Sequence, residues 1–550
     1  MNAQTPTEHR HWNRTYIIGI ILITLATLGT WLFLWRDVYL SYDDIRASLN
    51  GGAEQFGAST PKQIWQAAMN DYRERNGRVA DALVKALIGL GHRSWQITSP
   101  IILTLMSAST FYFVAQLRKA ASPDAVATPR QGLLTYGAVS AIPLGLVAAK
   151  EVLGPQLFFF NAAVVGYAGA LAMGALAVGL LITRWRSPLT TWVAAIFSWL
   201  LLFVTALTNE SATLAALFVL MVTLFLKPLR QNVVQLSGGA AVTAVGFTVH
   251  FFAPGRIART EDVSTLESSL FVRLARGMFS IPLTGGFLLA LSLVVALLLL
   301  GFSAFSNSGS RLAVSVAVVL GWCGVAAWWV SAMASDGIDG AYGFLGSNLA
   351  AYVLYPFGVY GFGTLTLVAL GAVGMLGVAC AMFFLMGRSD ASTRNAFLVV
   401  IALVAGSAAV PMYTGLHPGR PWFFVVYFGV VLPWTMLADR GGRDRSVESW
   451  DTSAREICSW ALMAVTVSLA IYGAHVSEQA LSEVAAVWVP GEQQLFEVAV
   501  GRSEVDLVVL PGPDKYENEL WSRLVPRSSG LADALREWYA IPDDVQLEWR

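Results

Sequence analysis

The chain is short of charge. Asp, Glu, Lys and Arg make up only 13% of its 550 residues, while 55% are hydrophobic; a soluble domain carries about 25% charged residues. The apolar residues also fall in long runs, so the natural solvent is lipid and a water-solvated globule of this length is not expected. Cysteine is nearly absent. Cys323, Cys380 and Cys458 each lie inside an apolar run with no CxxC spacing, which argues against a disulfide framework and leaves them as small buried side chains. Charge of either sign is missing from the balance: 36 basic and 36 acidic residues cancel, and nothing points to nucleic acid. No Walker-type GxxxxGK[ST] and no strand-flanked GxGxxG occurs, so a cytoplasmic nucleotide site is not expected. Nor is a cleavable signal peptide expected: the polar stretch through Arg14 leads into an apolar run from Tyr16 to Trp35 without a small-residue cleavage site.

What is present is a succession of runs near the 20 or so residues that a spanning helix needs. They lie near 15–35, 95–117, 133–149, 157–182, 190–207, 211–226, 236–253, 284–305, 312–333, 362–386, 396–413, 421–438 and 456–474. The pattern predicts an all-α integral membrane protein of about 13 transmembrane helices. Lys and Arg in the short loops set its orientation. With residues 1–14 cytoplasmic, the inner loops hold Arg118, Lys119, Arg130, Arg184, Arg186, Lys227, Arg230, Arg311, Arg388 and Arg394, and then Arg440, Arg443, Arg445 and Arg455. An odd number of spans is expected to put the C-terminus outside the membrane, and little Lys beside frequent Ala, Val, Gly and Arg suggests a bacterial source, hence a bacterial cytoplasmic (inner) membrane. In the first extracytoplasmic loop, 36–93, residues Ile64, Trp65, Ala68, Met69 and Tyr72, and then Val79, Ala82, Leu83, Ala86 and Leu87, recur at helical spacing. They predict two amphipathic helices lying along the interface. From 475 to 550 polarity rises, and a strand at Val505–Leu510 and a helix at Leu531–Tyr539 predict a small extracytoplasmic α/β domain.

Polar residues collect at the outer ends of the spans. Asp43 and Asp44 follow the first; adjacent carboxylates there suit a general base or a ligand pair for a divalent cation, and otherwise a solvated helix stop. No metal ligand is assigned, and a divalent cation stays open as the one possible cofactor. Asn76-Gly77-Arg78 separates the two interfacial helices, Lys150-Glu151 ends the third span and Asn209-Glu210 ends the fifth. His250 is followed by Ala253-Pro254-Gly255-Arg256 and Arg259, and His417-Pro418-Gly419-Arg420 follows the eleventh span. Plainer readings exist for several: a salt bridge for Lys150-Glu151, a helix cap for Asn209, a packed ring for His250. The two Pro-Gly-Arg turns expose backbone N–H groups beside a forked donor suited to phosphate. Arg256, Arg259, Arg273 and Arg276 also run against the positive-inside trend.

In this order, from Tyr42-Asp43-Asp44 through Asn76-Gly77-Arg78, Asn209-Glu210 and Ala253-Pro254-Gly255-Arg256 to the late Pro-Gly-Arg, the chain resembles a bacterial multi-spanning membrane family of unknown function. That family in turn resembles the GT-C glycosyltransferases, which use polyprenyl-phosphate sugars. The likeness spans residues 15 to 440. It implies transfer of a sugar to a cell-envelope glycan, lipid or protein acceptor, with Asp43 or Asp44 as the base. Arg256, Arg259 and Arg420, with Lys150, would hold the donor phosphate. Where that family often has Asn after the Pro-Gly, this chain has Arg256. Tyr342, Phe344, Tyr352, Tyr355 and Tyr360 would offer faces to sugar rings or form an interfacial belt. Two other classes fit the same features: a lipid-linked oligosaccharide polymerase, and a transporter or flippase of lipid-linked glycans, which would need ionisable residues at mid-membrane.

Overall fold

The computed structural model describes residues 6–75, 77–121, 129–147, 157–226, 232–261, 273–274, 281, 288–289, 291–301, 381–389, 391–414, 420–437, 448–510 and 531–549. The span expected near 312–333 lies outside them, and those near 284–305 and 362–386 are described only in part.

A long first helix, α1 (Pro6–Trp35), leads to α2 (Tyr42–Leu49), α3 (Pro61–Asn70) and α4 (Ala80–Ile88), which fill the loop before the next long helix. Local chemistry starts α2 and α3. Ser41 caps α2 and Thr60 caps α3, each in a reciprocal box with the residue three positions on, and Pro61 takes the first position of α3, where no N–H is needed. The two helices expected in this loop are α3 and α4. The short α2, which carries Asp43 and Asp44, is additional.

The bundle continues with α5 (Trp95–Ala121), α6 (Pro129–Val147), α7 (Asn161–Ile182), α8 (Pro188–Thr208), α9 (Glu210–Phe225), α10 (Val233–Phe251), the short α11 (Pro254–Glu261) and α12 (Leu291–Gly301). Then come α13 (Ala391–Thr414), α14 (Phe423–Met436) and α15 (Glu448–Ala499). Among the described residues, seven helices are long and apolar enough to cross a membrane. Their outer faces fit that solvent: on α8, Leu189, Val193, Ile196 and Leu200 recur every three to four residues and are exposed. Helix α9 packs along α13, α5 along α7, and α15 along α6. Trp31, Trp35, Phe158, Phe423, Tyr427 and Trp434 are fully buried in the core. This is the architecture of a helical membrane protein.

Helix α15 (Glu448–Ala499) continues through 475, the expected start of the C-terminal segment. It runs unbroken for 52 residues, about 78 Å at 1.5 Å per residue, against a hydrocarbon core of about 30 Å. Beyond 474 the apolar stripe narrows but persists. Leu481, Val484, Trp488 and Leu495 are buried, while Gln479, Glu483, Gln493 and Gln494 face out. Polarity rises there because one helix face becomes wet, with no break in the helix. After it, β1 (Leu507–Leu510) pairs in parallel with β2 (Gln546–Trp549), and α16 (Leu531–Tyr539) lies between them in sequence.

Candidate active site at the polar end of the bundle

The C-terminal end of α1 and the N-terminal end of α5 meet through side chains that satisfy loop carbonyls. Trp95 Nε1 donates to Val38 O at 3.0 Å, Gln96 Nε2 to Arg36 O at 2.9 Å and Trp35 Nε1 to Phe158 O at 3.1 Å. On this floor sits α2, and its two carboxylates have parted company. Asp44 is fully buried: Oδ2 accepts from the Ser41 N–H at 3.0 Å and the Ser41 hydroxyl at 2.9 Å, and Oδ1 accepts from the Ala162 N–H at 2.7 Å. Burial raises Asp44 to about 6, against the lowering effect of those bonds to Ser41 and Ala162. Asp43, one residue earlier, is exposed. The far end of α2 is held as well. The buried Lys85 ammonium donates to Ser48 O and, at 2.7 Å, to Gly52 O, placing a cation on the last carbonyls of the helix. Asp43 therefore projects from a helix fixed at both ends.

Three of the expected residues, Arg78, His250 and Arg256, converge on the carboxylate of a fourth, Glu210. Asn209 is the N-cap of α9, its Oδ1 accepting from Ser211 N at 3.0 Å and Ala212 N at 3.2 Å. This is the plainer reading of Asn209, and it aims the next residue, Glu210. Arg78 Nη2 meets Glu210 Oε2 at 2.7 Å, while His250 Nε2 and Arg256 Nε lie 3.4 Å and 3.7 Å from Oε1. His250 is fully buried, with Nδ1 2.9 Å from Ala206 O. Burial alone would lower Arg78, but the Glu210 carboxylate holds it well above its ordinary value. The turn that brings these groups together depends on two glycines. Gly77 has φ +72° and packs so closely on Ala253 that a Cβ would stand 2.6 Å from its methyl; a Cβ on Gly255 would lie 2.7 Å from Arg75 N. Pro254-Gly255, expected as a loop turn, is instead the first turn of α11 and nests against the π-helical turn at Asp71–Arg75.

Arg256 also stands at an apolar margin. Its guanidinium lies 4.1 Å from the centroid of the Phe251 ring, with Phe252 and Ile257 exposed alongside. Arg420 is placed differently, 5.2 Å from the centroid of Phe160, two residues from the Ala162 N–H that binds Asp44. Near Phe160 the core is aromatic: Tyr167 stacks on Phe424 at 5.9 Å and Phe423 meets Phe158 at 5.9 Å. Of the other expected residues, Asn76, Lys150, Glu151 and His417 lie outside the described residues, as do Tyr342, Phe344, Tyr352, Tyr355 and Tyr360. Arg259 is in α11, and its side chain is likewise outside the description. Among the described residues there is no group of three or more His, Cys, Asp or Glu able to hold a metal ion.

Two polar features were not foreseen. Asn161, inside the apolar run Phe158–Ala163, is buried and accepts from the Ser99 hydroxyl at 2.7 Å; an amide in such a run is the signal that marks it. The other is a carboxyl pair. Asp71 is fully buried, accepts from Asn50 Nδ2 at 2.9 Å, and shares Arg75, at 3.9 Å and 3.8 Å, with Asp81. Burial and the neighbouring Asp81 push Asp71 up to about 8 against the pull of Arg75. The folded chain then binds this proton more tightly than the unfolded chain does. The stabilisation is full below the ordinary carboxylate value and is lost as pH rises through about 8. We expect Asp71→Asn to remove that alkaline loss in melting curves of the full chain. Lys85, lowered to about 8 by burial, has the opposite sign: its contribution is present above its ordinary value and is lost as pH falls through about 8. The readout is therefore the difference between variant and wild type. Parallel pH profiles for the two would refute the assignment.

The described residues define a helical membrane protein with a charged, partly buried cluster at one end of its bundle. In comparison with known proteins, the chain matches no family model and no curated protein.

Proposed function

We propose that the chain is a membrane glycosyltransferase that moves a sugar from a polyprenyl-phosphate donor to a cell-envelope glycan, lipid or protein acceptor. On this reading it works at the extracytoplasmic face of a bacterial inner membrane. The observation that carries it is the gathering of Arg78, Glu210, His250 and Arg256 at the same bundle end as the exposed Asp43. A lipid phosphate needs cations beside apolar surface. Arg256 offers that combination, a guanidinium on Phe251 with Phe252 and Ile257 exposed next to it. Arg420, on Phe160, would provide the second cation near the base. Asp43 would accept the proton from the acceptor hydroxyl as its oxygen attacks the anomeric carbon. The C–O bond to the donor phosphate breaks, and the arginines stabilise the departing phosphate. Asp44 would serve by fixing α2.

The test is transfer of radiolabel from synthetic polyprenyl-phosphate sugars to an envelope acceptor in membranes containing the protein. A charge-assisted phosphate contact is worth about 1.5–3 kcal/mol, so Arg256→Ala should raise the donor KM by roughly 10- to 150-fold. If inserted wild-type protein moves no label across a panel of donors, the glycosyltransferase reading fails in favour of a polymerase or a transporter.

A further inference from the structure

Three non-glycine residues among those described adopt positive φ: Phe56 at +57°, Arg93 at +61° and Ala540 at +51°. They lie far apart in sequence, yet all three fall at one joint, where the loop 36–93 meets α15 and α16. Strained backbone persists only where its surroundings over-determine it, and such residues concentrate at sites where geometry matters. Here the surroundings are on both sides. The Phe56 ring packs against His92 at 5.0 Å, Phe496 at 5.5 Å and Tyr539 at 5.7 Å. Gln55 Nε2 donates to Ala499 O at 2.6 Å, and the backbone at Gly57 lies so close to Trp538 that a Cβ would sit 2.0 Å from the ring.

Beneath these contacts lies one buried charge. Glu492, 2% exposed, is contributed by the part of α15 that runs on past 474. Arg93 Nη2 meets its Oε2 at 2.6 Å, the Tyr539 hydroxyl donates to Oε1 at 3.0 Å, and His92 Nε2 stands 3.6 Å away. A single carboxylate thus ties the end of the first loop to the long helix and to the last helix. Helix α16 in turn packs on α2, which presents Asp43.

We infer that the outer part of α15 together with α16 forms a clamp on the first loop, that Glu492 is its positioning residue, and that the clamp sets where α2 holds Asp43. The link to Asp43 chemistry rests on the function proposed above; the clamp itself does not. The clamp works by stiffening α2. Helix α2 has only eight residues, too few to be stable alone. Its caps fix its ends, and α16 supplies a packed face. The polar contacts at Glu492 specify one docking geometry, which apolar packing alone would leave free to slide.

The test is hydrogen exchange on the full chain in lipid nanodiscs, comparing wild type with Glu492→Gln and Tyr539→Phe; Glu483→Gln, an exposed site on the same helix, is the control. Glu492→Gln should speed exchange across 42–57 by about tenfold or more while α5 to α10 stay unchanged, with a smaller effect for Tyr539→Phe and none for the control. Exchange that rises in α16 but not in 42–57, in either variant, would overturn the clamp. Should Glu492→Gln fail to insert, Tyr539→Phe alone decides. In the transfer assay, Glu492→Gln should lower kcat by about 10- to 100-fold and leave the donor KM unchanged, because it displaces the base and not the phosphate site. An equal rise in KM would count against positioning. Absence of transfer by wild type would count against the proposed function, and the exchange data would still decide the clamp.

Discussion

Asp43→Asn is expected to cut the proposed sugar transfer by about 10²- to 10⁴-fold, the range for loss of a general base, with melting and membrane insertion unchanged. Asp44→Asn is expected to do nearly the reverse. The two carboxylates are adjacent in sequence, but one is exposed and the other accepts three hydrogen bonds inside the protein. An amide at 43 keeps the shape of an exposed side chain and loses only its basicity. An amide at 44 has one oxygen where three donors converge, so its NH2 must face a donor. A conflict of that kind in a buried site costs about 1–3 kcal/mol, and the capping box of α2 is weakened with it. Activity of Asp44→Asn should therefore fall in step with the folded fraction of α2 and recover on cooling, whereas Asp43→Asn should stay inactive at every temperature. Measuring transfer and melting on the same membranes at two temperatures separates them. Equal, temperature-independent loss in both would mean that Asp44 takes part in the chemistry and is not simply a cap.

Nothing in the dipeptide distinguishes those two residues, and the reason is physical. Ser41 with an acid three positions later is a readable helix-start signature, but α2 is too short for apolar periodicity to reveal it. The partner that buries Asp44, the Ala162 N–H, lies 118 residues away. The arginine cluster was more legible. Glu210, His250 and Arg256 stand at or just past ends of apolar runs and Arg78 lies between two short loop helices, so the expected topology puts all four on one side, while their convergence on Glu210 is a product of the fold. Local pattern also located the helices at Pro61–Asn70, Ala80–Ile88 and Leu531–Tyr539. What it could not reach were features created by packing between distant segments. Asp71 and Asp81 become a pair only when a π-turn brings them to one arginine. Helix α15 outlasts the membrane because one of its faces stays covered, which mean hydropathy averages away.

Glu210→Gln carries the second large effect, and its two consequences should have opposite signs. The side chain is 8% exposed and faces Arg78, His250 and Arg256. Gln keeps the volume and removes the charge on which those groups converge. Breaking a buried ion pair in this way costs about 3–5 kcal/mol. Arg78 retains 27% exposure, so water recovers part of that, and a loss of roughly 2–4 kcal/mol is expected. Stability should drop accordingly in thermal melts of the purified chain. Donor binding should move the other way. With the Glu210 carboxylate gone, one anion that competes with an incoming phosphate for both guanidiniums is removed, so the donor KM should fall in the surviving folded fraction. If KM rises instead, Glu210 is needed to hold Arg256 at the Phe251 margin, and placement of the cation outweighs its neutralisation. The sign of that one change therefore says whether Glu210 restrains the phosphate site electrostatically or builds it.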